Sequence, residues 1–390
     1  MKACLWGAPT RRGWRAWTSC CARGALAVLM LVLVGCVAHV TDKMPLQTWG
    51  YASWWSPPTA VQLDRAQLDR LMFFQIEMGV DGRIKDAHGW PSKYEPLRDA
   101  AKQRGLPLDV TVTLQGKDDF EKLFGNPASV QRLLETCIAL ANDSAVAGLQ
   151  LDFETFDEVT PASIAGLRGF VPRLAAVLHA ASLKRLLSVF IPSNGQILYD
   201  RASLAKVDWD VMQSYDAHWA TSEQAGPIAP LNGGSEFSWV KAVAMGDALG
   251  VAHDRMIMTY PLYGYEWPTQ SQDARARTTG PAATTTLEPV SAAILPLIQT
   301  NVRERVSQFG CQHEHRSGSS FYRFRDPVKG WVVGWYEGAW SLRLKRQFVI
   351  DHDLAGIAFF VLGYDDDRLV GSVDKSRSTA YGDAVVQGCL

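Results

Sequence analysis

The chain has 390 residues, with 39 Lys+Arg against 40 Asp+Glu and a formal net charge of -1. That balance excludes a protein that grips nucleic acid by charge. An apolar fraction of 47%, a charged fraction of 20% and 14 tryptophans describe a well-packed globular protein, neither disordered nor collagen-like, and the length allows two average domains or one large barrel with insertions.

The first 23 residues carry Lys2, Arg11, Arg12, Arg15 and Arg23 and no acid, and an apolar run from Ala25 to Val34 follows. Ten residues are too few for a bilayer core that needs about 20. A basic segment, a short apolar run and a small residue near its end describe an export signal. The run closes on Leu33-Val34-Gly35-Cys36, which resembles a bacterial lipobox. That resemblance implies cleavage after residue 35, lipidation at Cys36 and a tether over 36–47. The protein is then expected in the bacterial cell envelope, lipid-anchored, with the outer membrane favoured because Val37 follows the cysteine. A plain signal peptide with an incidental cysteine is the alternative.

From residue 48 on, short β-rich runs alternate with longer helical patterns, the mark of a parallel sheet built from βα units. Eight strands are expected at 47–54, 70–77, 108–114, 147–154, 185–191, 208–215, 255–262 and 355–362, with helices among them at Pro127 to Ala141, Pro161 to Ala181, Ser235 to Leu249 and Gly338 to His352. Eight such units over 48–370 predict an α/β fold, a (β/α)8 TIM barrel. The gap at 264–335 reads as a small α+β insertion after the seventh strand, lying over the barrel mouth, with a helix from Glu288 to Phe309 and a strand at Ser320 to Phe324. The tail 371–390 has weak periodicity. Cys137 falls on the apolar face of a helix and is expected to be buried and inert, while Cys311 and Cys389 are free to pair in an oxidising compartment.

Residues 146–156 concentrate the chemistry. Alternation sends Gln150, Asp152 and Glu154 to one face of a strand and Leu149, Leu151 and Phe153 to the other. In a barrel the apolar face meets the helices, so the polar row points inward and climbs toward the C-terminal rim, where barrel enzymes place their sites. Two carboxylates so close repel, which favours a protonated Glu154 beside an ionised Asp152, a pair suited to donating a proton to a leaving oxygen. Rim carboxylates paired to Arg or Lys are the bland alternative. Cys311-Gln312-His313-Glu314-His315 offers metal ligands at alternate positions, yet it sits in a Ser/Gly-rich loop without the spacing of a zinc site. No metal and no cofactor are expected.

On these residues the chain resembles glycoside hydrolase family 18, the chitinases and related N-acetylglucosaminidases. Ala147-Gly148-Leu149-Gln150-Leu151-Asp152-Phe153-Glu154 matches the family's fourth-strand motif DGxDxDxE in its last Asp and its Glu, with Ala147 and Gln150 at the first two Asp positions. Gln213-Ser214-Tyr215-Asp216-Ala217-His218, Tyr263-Gly264-Tyr265-Glu266-Trp267, and Trp335-Tyr336-Glu337 with Ser341 and Lys345 ahead of Phe360 to Asp366 follow in the family's order. The arrangement is nearest to the branch acting on peptidoglycan.

The resemblance implies substrate-assisted retaining cleavage of β-1,4 bonds after N-acetylglucosamine, the acetamido oxygen being the nucleophile. Glu154 is then the acid and base, Asp152 orients the acetamido group, and Tyr215 donates a hydrogen bond to it. Gln150, Gln213, Asp216, Tyr51, Trp267 and Phe360 are the implied substrate contacts, Phe360 standing where many members carry Trp. Tyr51, Trp54, Trp55, Trp267, Trp335 and Phe360 could stack on sugar faces, and of the adjacent Trp54 and Trp55 only one can face inward. The expected partner is an N-acetylated polysaccharide or peptidoglycan, together with the membrane through the anchor. A non-catalytic glycan-binding lipoprotein on the same barrel is the alternative.

Overall fold

The computed structural model describes residues 44–193, 197–233, 237–290, 300–377 and 388–390. The expected signal segment and Cys36 lie outside the described residues.

Eight parallel strands close a barrel: β1 (Gln47–Ser53), β2 (Arg70–Met78), β3 (Leu108–Gln115), β4 (Gly148–Glu154), β5 (Leu186–Ile191), β6 (Trp209–Met212), β7 (Met256–Pro261) and β8 (Gly356–Phe360). Each pairs with the next, and β1 pairs with both β2 and β8, which removes every edge from the ring. All eight expected strands are present, each within a few residues of its expected bounds. A (β/α)8 TIM barrel is therefore the fold.

The helices start where local chemistry predicts. The helix α1 (Pro127–Ala141) has Asn126 as N-cap, accepting from the Ala128 N–H, with Pro127 in the first helical position. Thr160 and Pro161 do the same for α2 (Pro161–Leu178). This helix stops short of the expected Ala181 because residues 179–182 are exposed, so no buried face stabilises another turn. Ser238 caps α3 (Trp239–Leu249) through the Lys241 N–H. Cys137 is buried on α1, and burial pushes its thiol up to about 12.

Between β7 and β8 the chain builds a second sheet of six strands, centred on Tyr263–Thr269, Gly330–Tyr336 and Ser319–Asp326. Its helix α4 spans only Val302–Phe309, started by the Asn301 side chain, which accepts from the Glu304 N–H. The expected helix from Glu288 is thus corrected: Thr300–Asn301 pairs as a strand with Thr285–Thr286, and 291–299 lie outside the described residues. The helix that follows the insertion sheet is α5 (Ala339–Asp351). Cys311 is disulfide-bonded to Cys389, which ties the end of the chain to this insertion.

The motif residues Glu337 and Lys345 prove structural. Lys345 Nζ meets Glu337 at 2.6 Å with both side chains fully buried, and Ser319 Oγ donates to Glu337 at 2.6 Å. A buried ion pair survives only with such partners, and this one joins α5 to the insertion sheet.

Candidate active site

The strand β4 delivers the polar row as expected. Leu149, Leu151 and Phe153 are completely buried in the layer shared with the helices. Gln150 and Asp152 are 1% and 3% exposed and rise toward Glu154 at the rim. Gly148 at the base of the row admits no side chain: a Cβ there would sit 2.7 Å from the Leu186 carbonyl and 2.9 Å from the Asp109 carboxylate.

Parallel register with β3 sets Thr111 beside Gln150, Thr113 beside Asp152 and Gln115 beside Glu154. Gln115 Nε2 lies 3.5 Å from Glu154 Oε1. Thr111 Oγ1 and the Tyr51 hydroxyl both donate to Gln150 Oε1, at 3.2 and 3.0 Å. Gln150 therefore lies a layer below the rim, its carboxamide oxygen held by Tyr51 and Thr111.

Asp152 and Glu154 share a hydrogen bond, and burial raises both carboxyls. The Glu154 charge raises Asp152 further and the Asp216 charge raises Glu154, so the pair holds a proton above the ordinary carboxylate range. Asp152 is the more deeply buried of the two. Neither carboxylate pairs with Lys or Arg among the described residues, which removes the bland alternative.

Tyr215 and Asp216 follow β6. Asp216 has φ of 63°, the left-handed region that a non-glycine residue seldom adopts, and its Oδ1 accepts from the Tyr263 hydroxyl at 2.5 Å. Burial lifts its carboxyl to about 6, and its charge in turn raises Glu154. His218 Nδ1 bonds to the Pro227 carbonyl at 2.8 Å.

Phe360 is the centre of an aromatic floor. Tyr215 lies parallel to it at 6.0 Å, and Tyr51, Trp55 and Phe74 meet it edge-on at 5.6, 6.2 and 5.2 Å. Trp55 is the inward member of its pair, whereas Trp54 stacks on His88 at 4.1 Å. Trp267 and Trp335 are corrected: both are fully buried in the insertion core, with their indole N–H groups donating to the Trp219 and Ala274 carbonyls, so no ring face is open to a sugar. Gln213 is also committed, its Oε1 accepting from the Ser193 N–H at 2.8 Å.

Four contributors were missed. Phe74, Thr113 and Gln115 obey the alternation that exposed Gln150, Asp152 and Glu154, and the same reading applied to β2 and β3 finds them. Tyr199 carries no such signal, because it lies in the connection after β5. It is 1% exposed, its hydroxyl has no hydrogen-bond partner among the described residues, and the charges of Asp152 and Glu154 help to raise it.

The metal pattern at 311–315 dissolves into ordinary contacts. Cys311 is in the disulfide, Glu314 makes a two-pronged bond with Arg275, and His313 bonds to Ser320.

A parallel barrel with a proton-sharing carboxylate pair at its C-terminal rim, set in an aromatic basin, has the form of a barrel glycosidase. The family model for glycosyl hydrolases family 18 matches residues 47–365, and the chain belongs to that family. It is 22% identical over 261 residues to an uncharacterized glycosylase, YvbX, of Bacillus subtilis, covering 65% of this chain and 68% of that protein. It is 25% identical over 284 residues to a putative sporulation-specific glycosylase, YdhD, of the same organism, covering 68% of this chain and spanning 61% of that protein's length. Among solved structures, the family 18 chitinase of Cycas revoluta in complex with allosamidin aligns with a TM-score of 0.68 at 18% identity, covering 84% of this chain and 97% of that one. The spore cortex-lytic enzyme SleL of Bacillus megaterium aligns with a TM-score of 0.64 at 17% identity, covering 84% and 73%. These likenesses are of fold.

Proposed function

We propose that the protein is a retaining glycosidase that cleaves β-1,4 bonds of N-acetylglucosamine-containing glycans with the substrate's acetamido group as nucleophile. The observation that carries this reading is the Asp152–Glu154 pair, buried, sharing a hydrogen bond and unpaired to any base among the described residues. Once an acetamido N–H engages Asp152, the proton held by the pair belongs on Glu154, which passes it to the leaving oxygen. The acetamido oxygen closes on the anomeric carbon, and Glu154, now a carboxylate, takes a proton from the water that opens the ring. Asp152 stabilises the cationic intermediate, and Tyr215 aligns the acetamido carbonyl. Phe360, Tyr51, Trp55 and Phe74 give the sugar an apolar floor.

The Cys311–Cys389 disulfide supports an oxidising compartment. With the basic and apolar N-terminal segment, it favours an exported protein anchored through Cys36 in the bacterial envelope. The substrate there is a periplasmic or surface glycan, peptidoglycan or an N-acetylated polysaccharide.

The test is to incubate the protein and Glu154→Gln with N-acetylglucosamine oligomers and with purified peptidoglycan, and to read the products by mass spectrometry. General-acid catalysis contributes about 100- to 10,000-fold, so the variant should be nearly silent while still binding. Binding without cleavage by the unaltered protein would make it a glycan-binding protein on the same barrel, a reading that the replacement of two motif acids by Ala147 and Gln150 would then explain.

A further inference from the structure

From Asp216 an aromatic ladder leads out along the insertion. Tyr263, which bonds to Asp216, is followed on the same strand face by Tyr265 and Trp267, with ring centroids 5.6 and 5.5 Å apart. The Trp267 indole donates to the Trp219 carbonyl, and the half-exposed Trp219 indole donates to Thr221 Oγ1 at 3.0 Å. The four residues from Tyr263 to Trp267 cover about 13 Å, and Gln270 lies three residues further on. At the far end lies an open cleft of about 470 Å³ lined by Thr221, Glu223, Gln270, Arg277, Thr278 and residues 280–281.

Its walls are three chain segments sewn together by main-chain bonds. The Thr278 N–H donates to the Glu223 carbonyl at 2.9 Å, Gln270 N–H to the Arg277 carbonyl at 2.9 Å and Thr279 N–H to the Pro268 carbonyl at 2.9 Å. The cleft is therefore a built concavity and not a gap between loose loops. Among the described residues none that line it is aromatic, so it offers no stacking face for a pyranose ring. What it offers is a guanidinium, a carboxylate, two hydroxyls and a carboxamide. Arg277 and Glu223 stand 3.7 Å apart with 66% and 88% of their side chains exposed. An exposed pair at that separation is worth little, so each charge can turn to a ligand at small cost.

We propose that this cleft recognises a short peptide carried as a branch of the glycan, with Arg277 taking a free carboxylate and Glu223 a free amine. The inference rests on the glycosidase reading and narrows it to a peptide-bearing glycan. Gln270 on the cleft lies seven residues beyond Tyr263, about 23 Å along the insertion, so a branch of about seven extended residues on a sugar held at Asp216 reaches the cleft. A guanidinium matches a carboxylate in two-pronged geometry, which neutral chitin-like oligomers do not supply.

The experiment uses the full chain carrying Glu154→Gln, so that bound glycan is not turned over, and titrates it calorimetrically with peptidoglycan tetrasaccharides that carry their peptide branches and with the same tetrasaccharides stripped of peptide. The peptide-bearing form should bind about tenfold tighter, the size of one charge-assisted contact, and Arg277→Glu should bring it down to the stripped form's affinity. Because Arg277 is exposed, the substitution leaves the core intact, and an unchanged melting temperature checks this. Equal affinity for the two tetrasaccharides overturns the peptide site while leaving the glycosidase reading in place. A preference that survives Arg277→Glu overturns the assignment to this cleft. Failure to bind either form overturns the glycan reading and the peptide site with it.

Discussion

The Tyr51 hydroxyl reaches across the barrel to donate to Gln150 Oε1 at 3.0 Å, and Thr111 donates to the same oxygen. These two bonds fix which way the carboxamide faces. Gln150 Nε2 is left buried and without a partner among the described residues, as is Asp152 Oδ1 on the same face of β4. A neutral amide under the acid pair adds no charge to it. Restoring the family's carboxylate there changes that: Gln150→Asp is expected to raise the Asp152–Glu154 pair further and move the pH–rate profile upward by roughly one unit. The profile of kcat against pH checks this, and an unmoved profile would show that position 150 is not electrically coupled to the pair.

Tyr199 separates a structural role from a binding one. If its unpartnered hydroxyl serves only packing, Tyr199→Phe removes a buried unsatisfied group and leaves kcat/KM unchanged. The expected result is a fall in kcat/KM of about tenfold with the melting temperature equal or higher, because the hydroxyl sits where Asp152 and Glu154 both influence it.

Asp210 gives a pH-dependent stability. It is completely buried, and desolvation outweighs Arg255, 3.2 Å away, to lift its carboxyl to about 7. The unfolded chain ionises this group near its ordinary value of 3.8. Between about 4 and 7 the native state therefore binds more protons than the unfolded state, and this group's contribution to stability falls as pH rises. Asp210→Asn should raise the unfolding free energy at pH 8 by an amount on the order of 1–3 kcal/mol, read from urea denaturation, and the gain should shrink toward pH 4. A gain independent of pH would count against the argument.

The Cys311–Cys389 bond closes a sequence separation of 78 residues. A cross-link of that span restricts the unfolded chain by about 4 kcal/mol in the loop-entropy account. Cys389→Ser should lower the urea midpoint of unfolding, Cys311→Ser should lower it equally, and the double variant should lose no more than either. A strong reductant should shift the unaltered protein alone.

The amino-acid sequence by itself determined the barrel and the acid pair. Both follow from short periods: eight apolar strand runs separated by helices, and one run in which alternate residues are polar. The caps Asn126 and Thr160, each followed by proline, were equally local. What only the tertiary structure decided are properties of neighbours distant along the chain. Trp267 and Trp335 were offered to a sugar because aromatic residues suit sugars, but the packing of the insertion sheet leaves no ring face open. Lys345 and Glu337 matched a family motif and turned out to hold α5 against the insertion in a completely buried ion pair. Tyr199 entered the site from a connection with no periodicity to read. The depth of the Asp152–Glu154 pair was also beyond the sequence, since alternation shows which face a carboxyl takes but not how deeply it is buried.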